Sequence, residues 1–111
     1  MVVDMSSSET TISQLHGEVF QEFSKGRCSE LSKDEVLKCV ENVFRELGFQ
    51  IYDLCLVSLD GEPVRDLDFA RYIRIEARHP QTGTTMHIFT LAVFKRKDRY
   101  NVIFLQSAVK P

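Results

Sequence analysis

The stretch that decides the fold reads Met86-His87-Ile88-Phe89-Thr90-Leu91-Ala92-Val93-Phe94. Side chains of a β-strand alternate between its two faces. One face receives Met86, Ile88, Ala92 and Phe94, and the other receives His87, Phe89, Leu91 and Val93. Both faces are largely apolar, which is typical of a central strand covered on both sides. We therefore predict a sheet built around residues 86–94, with helices of the chain or a partner covering its faces.

The composition is that of an ordinary globular protein. The chain has 111 residues, of which 43% are hydrophobic and 27% charged, and this length fits one domain. No apolar run reaches the roughly 18 residues of a membrane-spanning helix, and the start lacks the basic-then-apolar order of a signal peptide. We expect an intracellular protein, cytoplasmic or nuclear. A single domain over residues 10–111 should follow a disordered tail over residues 1–9.

Three cysteines, Cys28, Cys39 and Cys55, occur without a C-x-x-C pair. Their odd number and their spacing argue against a structural zinc site and against a disulfide framework. Cys39 and Cys55 fall in predicted elements, where a free cysteine usually behaves as a small hydrophobic residue. Cys28 falls in a predicted loop beside Arg27, which makes it the best candidate for a reactive thiol.

The net charge of −2 hides an asymmetry between the two parts of the chain. Residues 1–68 carry a net charge of −8, whereas residues 69–111 carry +6. Such a division indicates either that one part binds an acidic partner or that the two parts attract each other within the fold.

Two helices are predicted before the first strand. From residue 11 to about residue 25, apolar residues recur at helical spacing, and Gly26 is placed to end this helix. A second helix should begin at Ser32-Lys33-Asp34-Glu35, because the S-x-x-E pattern forms a capping box. Its apolar face continues to Leu47, and Gly48 supplies the stop.

Four strands follow, at residues 51–59, 71–78, 86–94 and 100–108. Turn residues separate them, including Asp60-Gly61-Glu62-Pro63 and the hairpin His79-Pro80-Gln81-Thr82-Gly83. The predicted fold is α+β: a four-stranded antiparallel meander with one capped helix on a face and an additional N-terminal helix.

The order of these motifs resembles a known family. The segments that carry the resemblance are the capped helix from Asp34 to Phe49, Tyr72-Ile73-Arg74-Ile75-Glu76, Pro80-Gln81-Thr82-Gly83 and Tyr100-Asn101-Val102-Ile103-Phe104. Over residues 33–107 they are similar to the C-terminal kinase-associated regulatory domain of AMP-activated and SNF-type protein kinases. That family has a Trp and a basic residue where this chain has Gln50-Ile51. The resemblance implies a non-catalytic module that docks other subunits, a kinase domain or acidic lipid.

No catalytic motif stands out in the sequence. The phosphate-binding loop, the nucleophile elbow, the H-E-x-x-H motif and the kinase signatures are all missing. Cys55 and His87 could form a catalytic pair only if the fold brought them together. Asp66 and Asp68 lack the ligand density of a calcium loop and are interpreted as part of a solvated acidic loop. We predict a protein that is not an enzyme, with no cofactor and no metal site.

The main functional hypothesis is a protein–protein interaction module in a regulatory or signalling complex. A sheet that is apolar on both faces needs two covers, and the capped helix supplies only one. The helix at residues 11–25 either covers the second face or leaves it open as a patch for another chain. The partner is expected to be another protein subunit or a second copy of the chain. The predicted partner-binding residues are His87, Phe89, Leu91, Val93, Ile103 and Leu105.

The alternative hypothesis is a membrane-surface module. The charged turn after residue 94 contains Lys95, Arg96, Lys97 and Arg99, which could bind anionic phospholipid headgroups at about 1 kcal/mol for each basic residue. The same residues could also simply keep a hairpin tip from associating with other sheet edges. Nucleic acid is not an expected partner, because the pI is 5.9 and the first part of the chain is acidic.

Overall fold

The computed structural model describes the backbone of residues 4–111 and the side chains of residues 10–111. It contains α1 (Asp4–Ser24), α2 (Val36–Glu46), β1 (Gln50–Val57), β2 (Pro63–Val64), β3 (Tyr72–Arg78), β4 (His87–Arg96) and β5 (Arg99–Val109). Three short 3-10 turns lie at Lys33–Glu35, Leu67–Phe69 and Pro80–Thr82. Within the described residues, neither helix is long and apolar enough to span a membrane.

The strands form one antiparallel sheet in the order β2-β1-β3-β4-β5. The predicted α+β fold is therefore confirmed, with β1, β3, β4 and β5 as the four strands of the meander. A fifth strand, β2, pairs with the end of β1 at Val57. No strand is predicted at Pro63–Val64, because two residues are too few to show a period.

Helical structure begins after Ser32, as the capping box predicts, but its first turn is a 3-10 turn and α2 itself begins at Val36. The Glu35 carboxylate accepts a hydrogen bond from the Ser32 amide at 2.8 Å, and the 3-10 turn Lys33–Glu35 leads into α2. Gly48, with a φ of +91°, ends the helix in the left-handed conformation. The buried face of α2 consists of Val36, Val40, Val43 and Phe44.

Helix α1 is longer than the sequence predicts. It begins at Asp4, so the tail expected over residues 1–9 is helical from residue 4, while residues 1–3 lie outside the described residues. Extending an existing helix adds a hydrogen bond for each residue that it orders, whereas a new helix must first form its nucleus. Leu15, Val19 and Phe23 are buried and attach α1 to the core.

Both helices pack on the same face of the sheet, around Phe89. Its ring centroid lies 4.9 Å from that of Phe44 in α2 and 5.0 Å from that of His16 in α1. Phe49, which directly precedes β1, contacts both Phe44 and Phe89. The helices therefore form one layer, and the opposite face of the sheet carries no helix within the described chain.

The cysteine pairing differs from the prediction that no disulfide forms. Cys28 and Cys39 form a disulfide with their Cα atoms 5.8 Å apart, and Cys55 is free. The loop after α1 returns across the first half of α2, which brings together two cysteines 11 residues apart. Cys28 is fully buried. It is therefore not the exposed reactive thiol that was expected, and Cys39 is not a free core residue.

Candidate functional site

Four of the predicted partner-binding residues lie under the helices. His87, Phe89 and Leu91 are 0% exposed and Val93 is 3% exposed. This corrects the expectation that their face could remain open for a partner. Helices gain most by covering the face with the larger apolar side chains, because the free energy of burial follows the apolar area removed from water.

The opposite face of β1, β3, β4 and β5, here called the open face, carries the exposed apolar surface. Val57, Tyr72, Ala92 and Ile103 are cross-strand neighbours and form one row across these four strands. The row contains no charged residue. Ile103 is 45% exposed, and Phe94 beside it is 44% exposed. Of the six predicted residues, the structure thus leaves Ile103 and Leu105 accessible.

Leu105 lies at the edge of the sheet and not within this row. Thr90 pairs with Gln106 while Leu91 pairs with Phe104, so a β-bulge leaves Leu105 without a partner on β4. The Leu105 side chain is 47% exposed. It extends the exposed apolar surface from the open face to the outer edge of β5.

The rest of the open face is more polar. The next row consists of Cys55, Arg74, Thr90 and Gln106. A groove of about 370 Å³ lies at its β1 end, and Cys55, Tyr72 and Arg74 are among the residues that line it. The free thiol of Cys55 thus faces an open groove.

The predicted anion-binding residues Lys95, Arg96, Lys97 and Arg99 form the tip of the β4–β5 hairpin. Lys97 and Asp98 make the turn with φ angles of 51° and 65°. Arg96 and Arg99 are directly opposite each other across the hairpin, an arrangement of like charges that destabilises a strand pair. The tip adjoins Phe94, so basic residues border the apolar row at this end.

The charge asymmetry of the sequence persists in the folded chain. All nine ion pairs found among the described residues join partners from the same part of the chain, either 1–68 or 69–111. Arg27, for example, pairs with Glu22 and Glu46. Direct ion pairing between the parts therefore does not neutralise the basic tip.

The acidic loop is anchored and not freely solvated. The Lys33 ammonium lies 2.8 Å from Asp66 and 2.9 Å from Asp68, and the Tyr100 hydroxyl donates a hydrogen bond to Asp68. The hydrogen bond from the Tyr100 hydroxyl, and to a smaller extent that from Lys33, lowers the pKa of Asp68 below its ordinary value. The cation at these carboxylates is thus a side chain of the protein. Within the described part of the chain, no group of three or more His, Cys, Asp or Glu side chains is arranged to hold a metal ion.

A histidine cluster, His16, His79 and His87, lies at one end of the helix–sheet interface and includes every histidine of the chain. The His16 Nε2 and His87 Nδ1 atoms are 2.8 Å apart, and His87 Nε2 is 2.8 Å from Thr82 Oγ1. The Phe49 ring contacts both His79 and His87. Sequence reasoning missed this cluster because its members lie on a helix, a turn and a strand.

The hydrogen bonds of the cluster fit a neutral ring at His87. The Thr82 hydroxyl donates to the His79 carbonyl, so it accepts from His87 Nε2–H. His87 Nδ1 then accepts from His16 Nε2–H. Burial, followed by the neighbouring rings of His16 and His79, lowers the pKa of His87 to about 4. Burial also lowers the pKa of His16.

His79 attaches this cluster to the end of α2. Its Nε2–H donates to the Leu47 carbonyl at 2.9 Å, while its Nδ1 accepts from the Gln81 amide. This satisfies a carbonyl at the helix C-terminus, where no partner exists within the helix. The arrangement holds the β3–β4 connection against α2.

The structure does not bring Cys55 and His87 together. Cys55 lies in the open-face row with Arg74 and Thr90, whereas His87 is buried on the face under the helices. The sheet therefore separates the thiol from the imidazole.

Comparison with known proteins adds no identification. No protein-family model, curated protein or solved structure matches the chain.

Proposed function

We propose that this chain is a non-catalytic interaction module that binds another protein through its open face. The row from Val57 to Ile103 is the observation that supports the proposal. An antiparallel sheet with one solvated face normally alternates apolar residues inside with polar residues outside. Here the outer row is uncharged, and Phe94 and Ile103 project next to each other. Contiguous exposed apolar surface of this kind is typical of a binding site.

The charges around the row favour a partner with an apolar centre and an acidic rim. Arg96 and Arg99 lie at the hairpin tip beyond the Phe94–Asn101 pair, and Arg74 lies in the adjacent row. Glu76 has two basic neighbours of its own, Arg74 at 4.0 Å and Lys110 at 3.5 Å. Asp53 and Glu76 lie opposite each other farther along the open face, so the basic charge is concentrated at the hairpin tip and at Arg74. Complementary charges would steer and orient an acidic partner towards these basic residues.

The more specific form of the proposal is a regulatory subunit of a signalling complex. The resemblance to kinase-associated regulatory domains favours it, because such domains dock other subunits. His87, which lies between His16 and Thr82 in the histidine cluster, is fully buried, and this burial is compatible with a non-catalytic role.

Site-specific photocrosslinking tests the open face directly. A benzophenone amino acid at position 103 should form an adduct with one partner protein in the native cell, while the same group at position 59 should not. Leu59 is 64% exposed in the turn after β1 and provides the matched control. Ile103→Asp should abolish capture of that partner, and Leu59→Asp should retain it. Equal adducts at both positions, or capture unaffected by Ile103→Asp, would refute the proposal.

A second candidate function is binding to an anionic membrane surface through the hairpin tip. The pairing of Arg96 with Arg99 favours it, because an anion between the two guanidinium groups would relieve their repulsion. Sedimentation with phosphatidylcholine vesicles that contain phosphatidylserine tests this function. The chain should bind at low salt, and the triple variant Lys95→Ala, Arg96→Ala, Lys97→Ala should not. Equal binding to vesicles of phosphatidylcholine alone would exclude the lipid function.

The proposed compartment is the cytoplasm or the nucleus. The Cys28–Cys39 disulfide argues against that compartment, because disulfides are rare in reducing compartments and persist in oxidising ones. Acid quenching of cells, followed by thiol alkylation of the denatured protein, separates the possibilities, because Cys28 is fully buried in the folded chain. Three alkylated cysteines fit the proposed compartment, whereas alkylation of Cys55 alone fits an oxidising one.

A further inference from the structure

The outer edge of β5 is a second candidate binding surface, because it has backbone N–H and C=O groups without partners among the described residues. β5 is the last strand of the sheet, so one side pairs with β4 and the other faces away. The loop after α1 covers only the beginning of that outer side. Tyr100 exchanges two hydrogen bonds with Leu31, and the Val102 amide donates to the Cys28 carbonyl. Beyond Val102, no backbone hydrogen bond leaves this side towards another described residue.

The hydrogen bonds at the end of β5 show which peptide groups are free. The Lys110 amide donates to the Met86 carbonyl, so residue 110 points towards β4. Successive residues of a strand direct their N–H and C=O groups to alternate sides. Ser107 and Val109 therefore direct theirs outward. By the same alternation from Val102, the groups of Phe104 also point outward.

The composition of this edge is unusual for a strand that remains unpaired. Residues 101–109 read Asn-Val-Ile-Phe-Leu-Gln-Ser-Ala-Val and contain neither a charged residue nor a proline. Edge strands are normally protected by such residues, because their free peptide groups pair readily with another strand. Within residues 101–109, the β-bulge at Leu105 is the only feature that protects the edge. The edge is thus suited to pairing over the segment that follows the bulge.

The absence of charge on this edge favours a second copy of the chain as its partner. In a two-fold interface the same surface meets itself, so a charged patch would repel its own copy. The segment 101–109 avoids this repulsion, whereas the basic tip would not. Phe20 of α1 also lies beside the edge, 50% exposed, with its ring against Phe104. A copy placed against β5 would cover this ring.

We propose that two copies of the chain pair through their β5 edges, antiparallel and centred on Ser107, to form one continuous sheet. Ser107 is the middle of the free segment between Phe104 and Lys110. Its hydroxyl can hydrogen-bond to its own copy across the axis. A two-fold axis perpendicular to the sheet keeps both α1 helices on the same face of the continuous sheet. The pairing goes beyond the proposed function, because it uses the edge of the sheet and leaves the open face free.

Sedimentation velocity on the full chain tests the pairing. We expect a concentration-dependent species of twice the 12.8 kDa chain mass. Ser107→Lys should weaken association by roughly fivefold or more, because two like charges would meet at the axis. Leu59→Lys adds the same charge near the opposite edge and should leave association unchanged. A chain that remains monomeric at all concentrations, or a dimer insensitive to Ser107→Lys, would overturn the proposal.

A crosslinking variant tests the register without relying on a destabilising charge. Directly opposite residues of a hydrogen-bonded antiparallel pair have Cα atoms about 5.5 Å apart, which is within disulfide range. In a Cys55→Ser background, Ser107→Cys should oxidise to a covalent dimer, whereas Leu59→Cys should not. Equal yields from both variants, or trapping of a different protein at position 107, would overturn pairing with a second copy. If position 107 forms no covalent dimer, the crosslinks expected at position 103 on the open face are unaffected. The dimer proposal and the open-face proposal can therefore be refuted separately.

Discussion

The two faces of β4 look alike in the sequence but differ in the folded chain. On one face Phe89 lies among the rings of Phe44 and Phe49 and is fully buried. On the other face Phe94 is 44% exposed. The difference shows that an apolar pattern marks a surface that can be covered without showing what covers it. In this chain both helices cover one face, which leaves the other available to a partner.

The faces also differ in how their polar groups are bonded. The covered face ends in the histidine cluster, where His16, His87 and Thr82 bond one another. Buried polar groups normally require such partners. On the open face, Arg96 meets Arg99, a pair of like charges. The covered face is thus internally satisfied, whereas the open face has charges that another molecule could neutralise.

The largest expected difference between the faces is in stability. Phe89→Ala should lower the free energy of unfolding by about 3–5 kcal/mol, because it leaves a cavity in the core. Phe94→Ala, the matched change on the open face, should cost less than about 1 kcal/mol. Urea unfolding followed by circular dichroism measures both values. Similar losses from the two variants would show that the open face is also part of the core.

The disulfide should contribute the next largest effect, on the helical side of the molecule. Replacing both Cys28 and Cys39 by Ser should lower the free energy of unfolding by about 2–4 kcal/mol, because the unfolded chain loses a constraint. Cys55→Ser on the open face should change it by no more than about 0.5 kcal/mol. Titration of the unreduced, denatured protein should find one thiol. Finding three thiols in oxidised protein would contradict the pairing.

The covered face should also make stability depend on pH. The folded-state pKa of His87, about 4, lies below its ordinary value of 6.5. The unfolded chain therefore binds more protons, and stability should fall as the pH decreases from 6.5 towards 4. The slope should reach at most about 1.4 kcal/mol per pH unit for this one group. The lowered pKa of His16 acts in the same direction.

Urea unfolding at a series of pH values measures this slope. His87→Leu should flatten the change in the free energy of unfolding with pH. A loss of stability that is equal at every pH does not affect this comparison. The triple variant at Lys95, Arg96 and Lys97 on the hairpin tip should leave the shape of the dependence between pH 6.5 and 4 unchanged. A slope of undiminished size in His87→Leu would assign the pH dependence to other groups.

The smallest expected effect concerns the contact between α2 and His79. An added Cβ at Gly48, where φ is +91°, would lie 2.8 Å from His79 Nε2, while a Cβ at Gly61, φ +88°, would meet no atom within 4 Å. Gly48→Ala and Gly61→Ala share the conformational penalty of roughly 1 kcal/mol. Gly48→Ala should therefore be the more destabilising of the two in thermal unfolding. Equal losses would mean that His79 moves away at no cost.

Elements with a strong local pattern were predictable. Helix α2 follows from the Ser32 to Glu35 cap, its apolar spacing and Gly48, and the meander follows from four strand-like runs separated by turns. These features depend on residues close in sequence, whose geometry is set by the backbone period. The start of α1 and the two-residue strand β2 were missed, since neither has a periodic pattern of its own.

The candidate site was predictable only in part. Ile103 and the basic tip were identified from the sequence and are accessible in the structure. His87, Phe89, Leu91 and Val93 were placed on the partner face, although the chain covers them itself. With apolar residues on both faces of β4, the sequence offers no basis for choosing between them.

The sequence by itself determined the presence of both helices, the four-stranded meander and the charge asymmetry, because these arise from patterns among neighbouring residues and from composition. Tertiary structure alone decided which face the helices cover, that Cys28 bonds Cys39, and that all three histidines meet. Each of these depends on distances between segments far apart in the chain. The packing of α1 and α2 around Phe89 sets those distances and so leaves the open face and the β5 edge accessible.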